Sequence, residues 1–164
     1  MKAARFTSML ETVTQFLDEV ELEYGEPKIK ELESGGRRFI IPSRITLDNG
    51  RFNFHIQGNE EKGFLGFYIQ HFTFVPEERR SAMAELITRL NYRLWVGYFA
   101  MDYEDGEILF KASLDIDGMN LGFSVMRNQL YCCFFMLDKF APAFEHVIAG
   151  DSTPEEAVTE LEAE

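Results

Sequence analysis

The chain has 164 residues, 46% of them apolar and 14% aromatic, and a formal net charge of −12. That length suits a single domain, residues 1–164, with a full core, and the apolar share excludes a disordered main body. The acidity argues against nucleic acid and against anionic membrane surfaces as partners.

Ala3 to Glu21 reads as a helix, with Phe6, Met9, Leu10, Val13, Phe16 (or Leu17) and Val20 on one face. Ser8 and Glu11 have capping-box spacing and offer a later start; Gly25 and Pro27 end the segment. Residues 28–42 suggest a loose hairpin or an edge strand, since Pro42 limits how far a central strand can run. Arg44 to Gln57 reads as a hairpin turning at Asn49-Gly50. Ile45, Leu47, Phe52, Phe54 and Ile56 share one face, and Arg44, Thr46, Asn53 and His55 the other. Phe64 to Phe74 reads as a long strand, apolar on both sides: Leu65, Phe67 and Ile69 on one, Tyr68, Gln70 and Phe72 on the other.

Pro76, Glu77 and Glu78 mark a helix start, and Met83, Leu86, Ile87, Leu90 and Leu94 its buried stripe. A second hairpin follows, turning at Asp105-Gly106 and ending at Gly118. Counting out from that turn sets Met101 opposite Phe110 and Phe99 opposite Ala112. Those residues, with Tyr103 and Ile108, form the core face. Asn120 or Gly122 opens the last long helix, whose centre, Leu130 to Leu137, is apolar all round and is interrupted beyond it by Pro142. Thr153, Pro154 and Glu156 start a short final helix ending in an acidic tail from about residue 160. The class is α+β, with an antiparallel sheet and the order α-β-β-β-α-β-β-α-α.

Val75-Pro76-Glu77-Glu78-Arg79, Leu90-Asn91, Gly97-Tyr98-Phe99 and Asp105-Gly106-Glu107 resemble the YbjN-like family of bacterial proteins. Gly150 followed by Thr153-Pro154-Glu155-Glu156-Ala157 resembles that family's C-terminal signature. The resemblance runs from about Arg44 to the C-terminus, and Gly25 to Ile41 matches poorly. It implies a fold similar to type III secretion chaperones, which are small acidic proteins, often dimers, that bind segments of other proteins. It implies no catalytic residues.

Asp115-Ile116-Asp117-Gly118 resembles the middle of a calcium loop, but Ser113 and Ser124 stand at two ligand positions, so strand exit and turn is the stronger reading. His55, His71 and His146 lack the spacing of a zinc site. Cys132 and Cys133 are adjacent, which excludes a disulfide framework and suits a reducing cytoplasm; among aromatics they read as inert packing. Asp138 with Lys139, and Glu104 with Glu107, are chance pairings among 28 acids, the latter flanking an exposed turn that would not raise a pKa. There is no phosphate loop, dinucleotide fingerprint or nucleophile elbow, and no cofactor is expected. No apolar run reaches the roughly 18 residues of a membrane span, and the N-terminus lacks the apolar block of a signal peptide, so a cytoplasmic location is expected.

Tyr68, Phe72, Tyr98 and Leu109 form an apolar patch on the outer sheet face, rimmed by Asn53, His55, Gln70 and Lys111, which is interface anatomy. Three covers are open: the last helix, a second copy of the chain in a homodimer, or a peptide from another protein; the helix from Pro76 to Leu94 is the homodimer's other candidate interface. The first functional reading is a non-enzymatic, chaperone-like protein-binding module. The alternative is a small-molecule sensor or enzyme with an aromatic pocket between the sheet and the last helix.

Overall fold

The computed structural model describes residues 8–117 and 119–163. Residues 3–7 of the expected first helix, Gly118 at the expected strand end and Glu164 of the tail lie outside the described residues. Ser8 caps α1 (Met9–Glu19): its hydroxyl accepts from the Glu11 N–H at 3.2 Å, and the Glu11 carboxylate accepts from the Ser8 N–H at 3.0 Å. The capping box therefore opens this helix, and Leu10, Val13, Phe16 and Leu17 are its buried stripe.

Six strands follow: β1 (Lys28–Glu31), β2 (Arg37–Leu47), β3 (Gly50–Asn59), β4 (Phe64–Gln70), β5 (Tyr98–Met101) and β6 (Ile108–Asp115). They form one antiparallel sheet in the order β1-β2-β3-β4-β6-β5. The expected order counted one strand fewer: residues 28–42, read as a loose hairpin or an edge strand, supply β1 and the first part of β2, and Pro42 sits inside β2 rather than ending it. The Pro42 carbonyl faces away from β3 and accepts from the Gly25 N–H at 2.7 Å. A strand residue's N and O point to the same side, so the missing N–H removes no bond between β2 and β3.

Both hairpins are two residues out of the register expected from their turns. Leu47 lies opposite Gly50, leaving Asp48-Asn49 as the turn. Asn49 is held there by Asp138: its N–H donates to Oδ1 at 2.8 Å and its side-chain amide to the carbonyl at 3.0 Å. In the second hairpin Met101 lies opposite Ile108 and Phe99 opposite Phe110. The loop between them is closed by the Gly106 N–H on the Asp102 carbonyl at 2.8 Å. Gly106 has φ 85°, and a Cβ there would lie 2.1 Å from the Val75 carbonyl oxygen, so the glycine serves a close crossing rather than a two-residue turn. A slip of two preserves every face assignment. Phe99, Phe110 and Ala112 are buried and Met101 is half-buried, whereas Tyr103 is exposed in the loop.

The helices α2 (Arg80–Asn91), entered through a 3₁₀ turn at Glu77–Arg79, α3 (Phe123–Ala149) and α4 (Pro154–Glu162) complete the chain. They pack with α1 over the face formed by Phe54, Ile56, Leu65, Phe67, Ile69 and Phe110. Cys133 Sγ lies 3.7 Å from the Phe67 carbonyl, and the Phe134 ring meets Phe54 edge-on at 5.1 Å. Pro142 lies within a continuous α3. The carbonyl it cannot bond, four residues back, is that of Asp138, which accepts from Asn49 instead. The centre of α3 is not buried all round: Leu130, Cys133, Phe134 and Leu137 are buried, but Tyr131 and Phe135, one turn apart, are more than half exposed. Among the described residues, no helix is long and apolar enough to cross a membrane.

Candidate protein-interaction face

With the helices on one side, the other side of the sheet is open. Strand alternation brings His55, Tyr68, Lys111 and Tyr98 into one row across β3, β4, β6 and β5, and Asn53, Gln70, Leu109 and Ala100 into the next. Three of the four expected patch residues, Tyr68, Tyr98 and Leu109, therefore meet on this face, and the rim residues lie where expected. The last helix does not cover it.

Phe72 is the correction. β4 ends at Gln70, alternation stops there, and the Phe72 ring turns back to the core side, 5.7 Å from Phe52 and stacked on His71 at 4.5 Å. A Cβ on Gly50 would lie 2.9 Å from that ring, so the glycine leaves the space that Phe72 fills.

Tyr68 is the centre of the face. Its ring stacks on His55 at 4.7 Å with 5° between the planes, and the Lys111 ammonium lies 5.9 Å from its centroid. It also lies over Gly66, where a Cβ would be 2.6 Å from the ring. Burial pushes the Tyr68 phenol up, with Tyr98 adding to it; burial, helped by Lys111, holds His55 below its ordinary value. The neutral imidazole stacked on a neutral phenol is thus the stable pair near pH 7.

The corner where α2 passes into β5 went unnoticed in the sequence. Trp95 is 99% exposed and Tyr92 92% exposed, with Val96 beside them. The helical stripe expected from the sequence runs through Leu94, past the end of α2, and strand alternation begins only at Tyr98, so no pattern marked this loop. The Asn91 side chain closes the adjacent edge: its amide donates to the Phe99 carbonyl at 2.9 Å, and its oxygen accepts from the Phe99 N–H at 2.8 Å, as a neighbouring strand would.

The remaining candidates separate. Asp115 and Asp117 make a local turn, the Asp117 N–H donating to Asp115 Oδ1 at 3.2 Å, and among the described residues no group of three or more His, Cys, Asp and Glu is placed to hold a metal ion. His55 is on the outer face, while His71 is buried against Phe52, Phe72 and Phe144, its Nε2 facing Glu145 Oε1 at 3.4 Å. His146 lies near Glu160. Burial pushes both thiols up, Cys133 far beyond the range of a reactive thiolate. Asp138 is engaged with Asn49, and Lys139 lies over Phe140. Glu107 departs from expectation: half-buried beside Asp105 and Asp102, its carboxyl is pushed up, chiefly by burial. An apolar groove of about 480 Å³ lies between the end of α1, the end of β2 and α3, lined by Val20, Leu22, Leu47, Leu130, Tyr131 and Phe135 among others.

Residues 9–146 match the model of the YbjN family, described as "Putative bacterial sensory transduction regulator". The chain belongs to the YbjN family. The YbjN match takes in residues 25–41, which the sequence resemblance left out, and ends before the C-terminal signature at Gly150. The YbjN-like motif residues sit at joints of the fold: Asn91 brackets β5, Gly106 crosses Val75, and Gly97, at φ 70°, lies against Phe110. No curated protein matches the chain at a significant level.

Proposed function

We propose that this YbjN-family protein is a non-enzymatic, chaperone-like regulatory module that binds another protein through the outer face of its sheet, in the cytoplasm. One observation carries the reading: the face is bare of helices, yet it presents Tyr98, 48% exposed, beside Tyr68 and Leu109. An apolar centre of this kind on an open sheet is what a protein partner covers. The family's description as a regulator agrees with it.

The module acts as a two-fold homodimer joined at the corner of α2 and β5, where Tyr92, Trp95 and Val96 stand in solvent. Trp95→Asp, at a site outside the core, is expected to halve the mass measured by light scattering, from twice 19.0 kDa to 19.0 kDa. A wild-type monomer across the micromolar range would remove the dimer. The binding face is tested by a photo-crosslinking residue placed at Tyr98 in the native cell, with one at Tyr131 as the helix-side control. Adducts to a different protein at Tyr98 alone are expected. None at Tyr98, or equal yields at both positions, would refute this assignment of the face.

The groove beside Tyr131 and Phe135 supports a second reading, an apolar-ligand sensor. It requires saturable binding of the neutral dye N-phenyl-1-naphthylamine that Leu47→Trp abolishes.

A further inference from the structure

We propose that the outer sheet face recognises an extended, acidic segment of the protein partner, anchored by an aromatic or aliphatic side chain. This inference rests on the protein-binding reading and adds the partner's chemistry.

The chain carries 28 acidic and 16 basic residues, so a face of average composition would be mainly acidic. The register of the strands gives the opposite. Lys28, Lys30, Arg38, Arg44, Arg51 and Lys111 all fall on the outer face; Asp115 is the one carboxylate on those strands to share it, and Asp102 and Glu107, just beyond the ends of β5 and β6, border it beside Leu109 and Lys111. Among the described residues none of these six cations lies within salt-bridge distance of a carboxylate, whereas Arg37, on the opposite face of β2, is paired with Glu60 at 2.9 Å. The charges are also segregated. Five stand on β1, β2 and β3, with Ile40 the exposed large apolar side chain among them; the apolar residues Tyr68, Leu109, Tyr98 and Ala100 stand on β4, β6 and β5.

This layout selects among occupants. A second copy laid face to face about an axis across the strands would set arginines against arginines, and about an axis along the strands would set them against Tyr98, Ala100 and Leu109; in neither does the copy's face bring a row of carboxylates to meet five cations. Single-stranded nucleic acid needs a free aromatic face to stack on. Tyr68, the central ring, is already stacked on His55 and approached by Lys111, which leaves the exposed Tyr98 on the edge strand β5, with three strands between it and the arginines of β2. An acidic peptide with one apolar anchor fits both halves. From Arg44 on β2 to Ala100 on β5 is four strand spacings, about 19 Å, which about six extended residues span.

The probe is a fluorescein-labelled peptide of about 12 residues, with a run of Asp and Glu set about six residues from a Leu-Tyr anchor. Anisotropy is read at low and at physiological salt. The controls are the same peptide with Lys for its acids, one with Ser for its acids, and an oligothymidylate of equal length. Expected are saturable binding of the acidic peptide, weakening as salt rises, and a loss of about tenfold or more in Arg38→Glu/Arg44→Glu, both exposed positions. The Lys peptide should not bind. Equal binding by the double variant overturns the proposal. So does tighter binding of the oligothymidylate, or low-salt self-association that the double variant abolishes, which would name a second copy's acidic side as the occupant. If the Ser peptide binds as well as the acidic one and Tyr98→Asp abolishes both, the charge inference fails while the protein-binding reading stands. If no peptide binds and the Tyr98 crosslinker captures nothing, both fail.

Discussion

Phe110→Ala tests the face assignment on which the open outer surface depends. The Phe110 ring is fully buried on β6, opposite Ile69 of β4 and Phe99 of β5, and meets Phe99 edge-on at 4.9 Å. Below it lies Gly97, where a Cβ would stand 2.5 Å from the ring. Truncating a buried Phe costs about 3–5 kcal/mol, and the upper half applies where the walls cannot collapse. Here the walls are ladder-bonded strands on both sides, and an edge-to-face pair is lost as well, so about 4–5 kcal/mol is expected. In a domain of this size that lowers Tm by about 8–20 °C. Urea unfolding should be followed by far-UV circular dichroism, because the single Trp, Trp95, is already in solvent and its emission changes little on unfolding. Phe110→Leu should recover more than half of the loss. A loss below about 1 kcal/mol with an unchanged urea dependence would show that Phe110 faces outward and that the two faces are exchanged.

Asn91→Ala removes both bonds to the Phe99 backbone and should cost about 1–3 kcal/mol, with faster hydrogen exchange at the Phe99 amide; unchanged exchange there would refute the bracketing role. His71 gives a pH dependence. Burial holds its imidazole below the ordinary value, against the opposing pull of Thr73 and Glu145. The unfolded chain therefore takes up the proton first, so the contribution is full above about pH 6.5 and is lost as pH falls from there through the folded-state value. His71→Phe should flatten the decline in Tm between neutral and mildly acid pH, leaving the part due to His55, and identical slopes would sink the idea. Asn49→Ala should lower Tm by a few degrees, because it strips the Asp138 carbonyl that Pro142 leaves without its helical partner; no change would show that water serves there equally well.

Periodicity alone determined much of this protein. The alternation in Ile45–Ile56 and Leu65–Ile69, the stripe of α2, and the caps at Ser8 and Thr153 are local, so their residues announce them. The faces survived a register error in both hairpins, because a slip of two leaves inside and outside unchanged. What local pattern could not supply was any partner far along the chain. Pro42 looked like a strand breaker until its N–H side proved to face outward. Asn49 became the tip of its turn because Asp138, 89 residues away, holds it. Phe72 left the outer face because β4 ended two residues before it and the space over Gly50 received its ring. The cationic half of the outer face was likewise invisible: Lys28, Arg44 and Arg51 stand singly in an acidic chain, and Arg38 stands beside an Arg37 that faces the other way. Only strand pairing, a property of tertiary structure, sets them side by side, because strand neighbours are fixed by backbone hydrogen bonds and not by proximity in sequence.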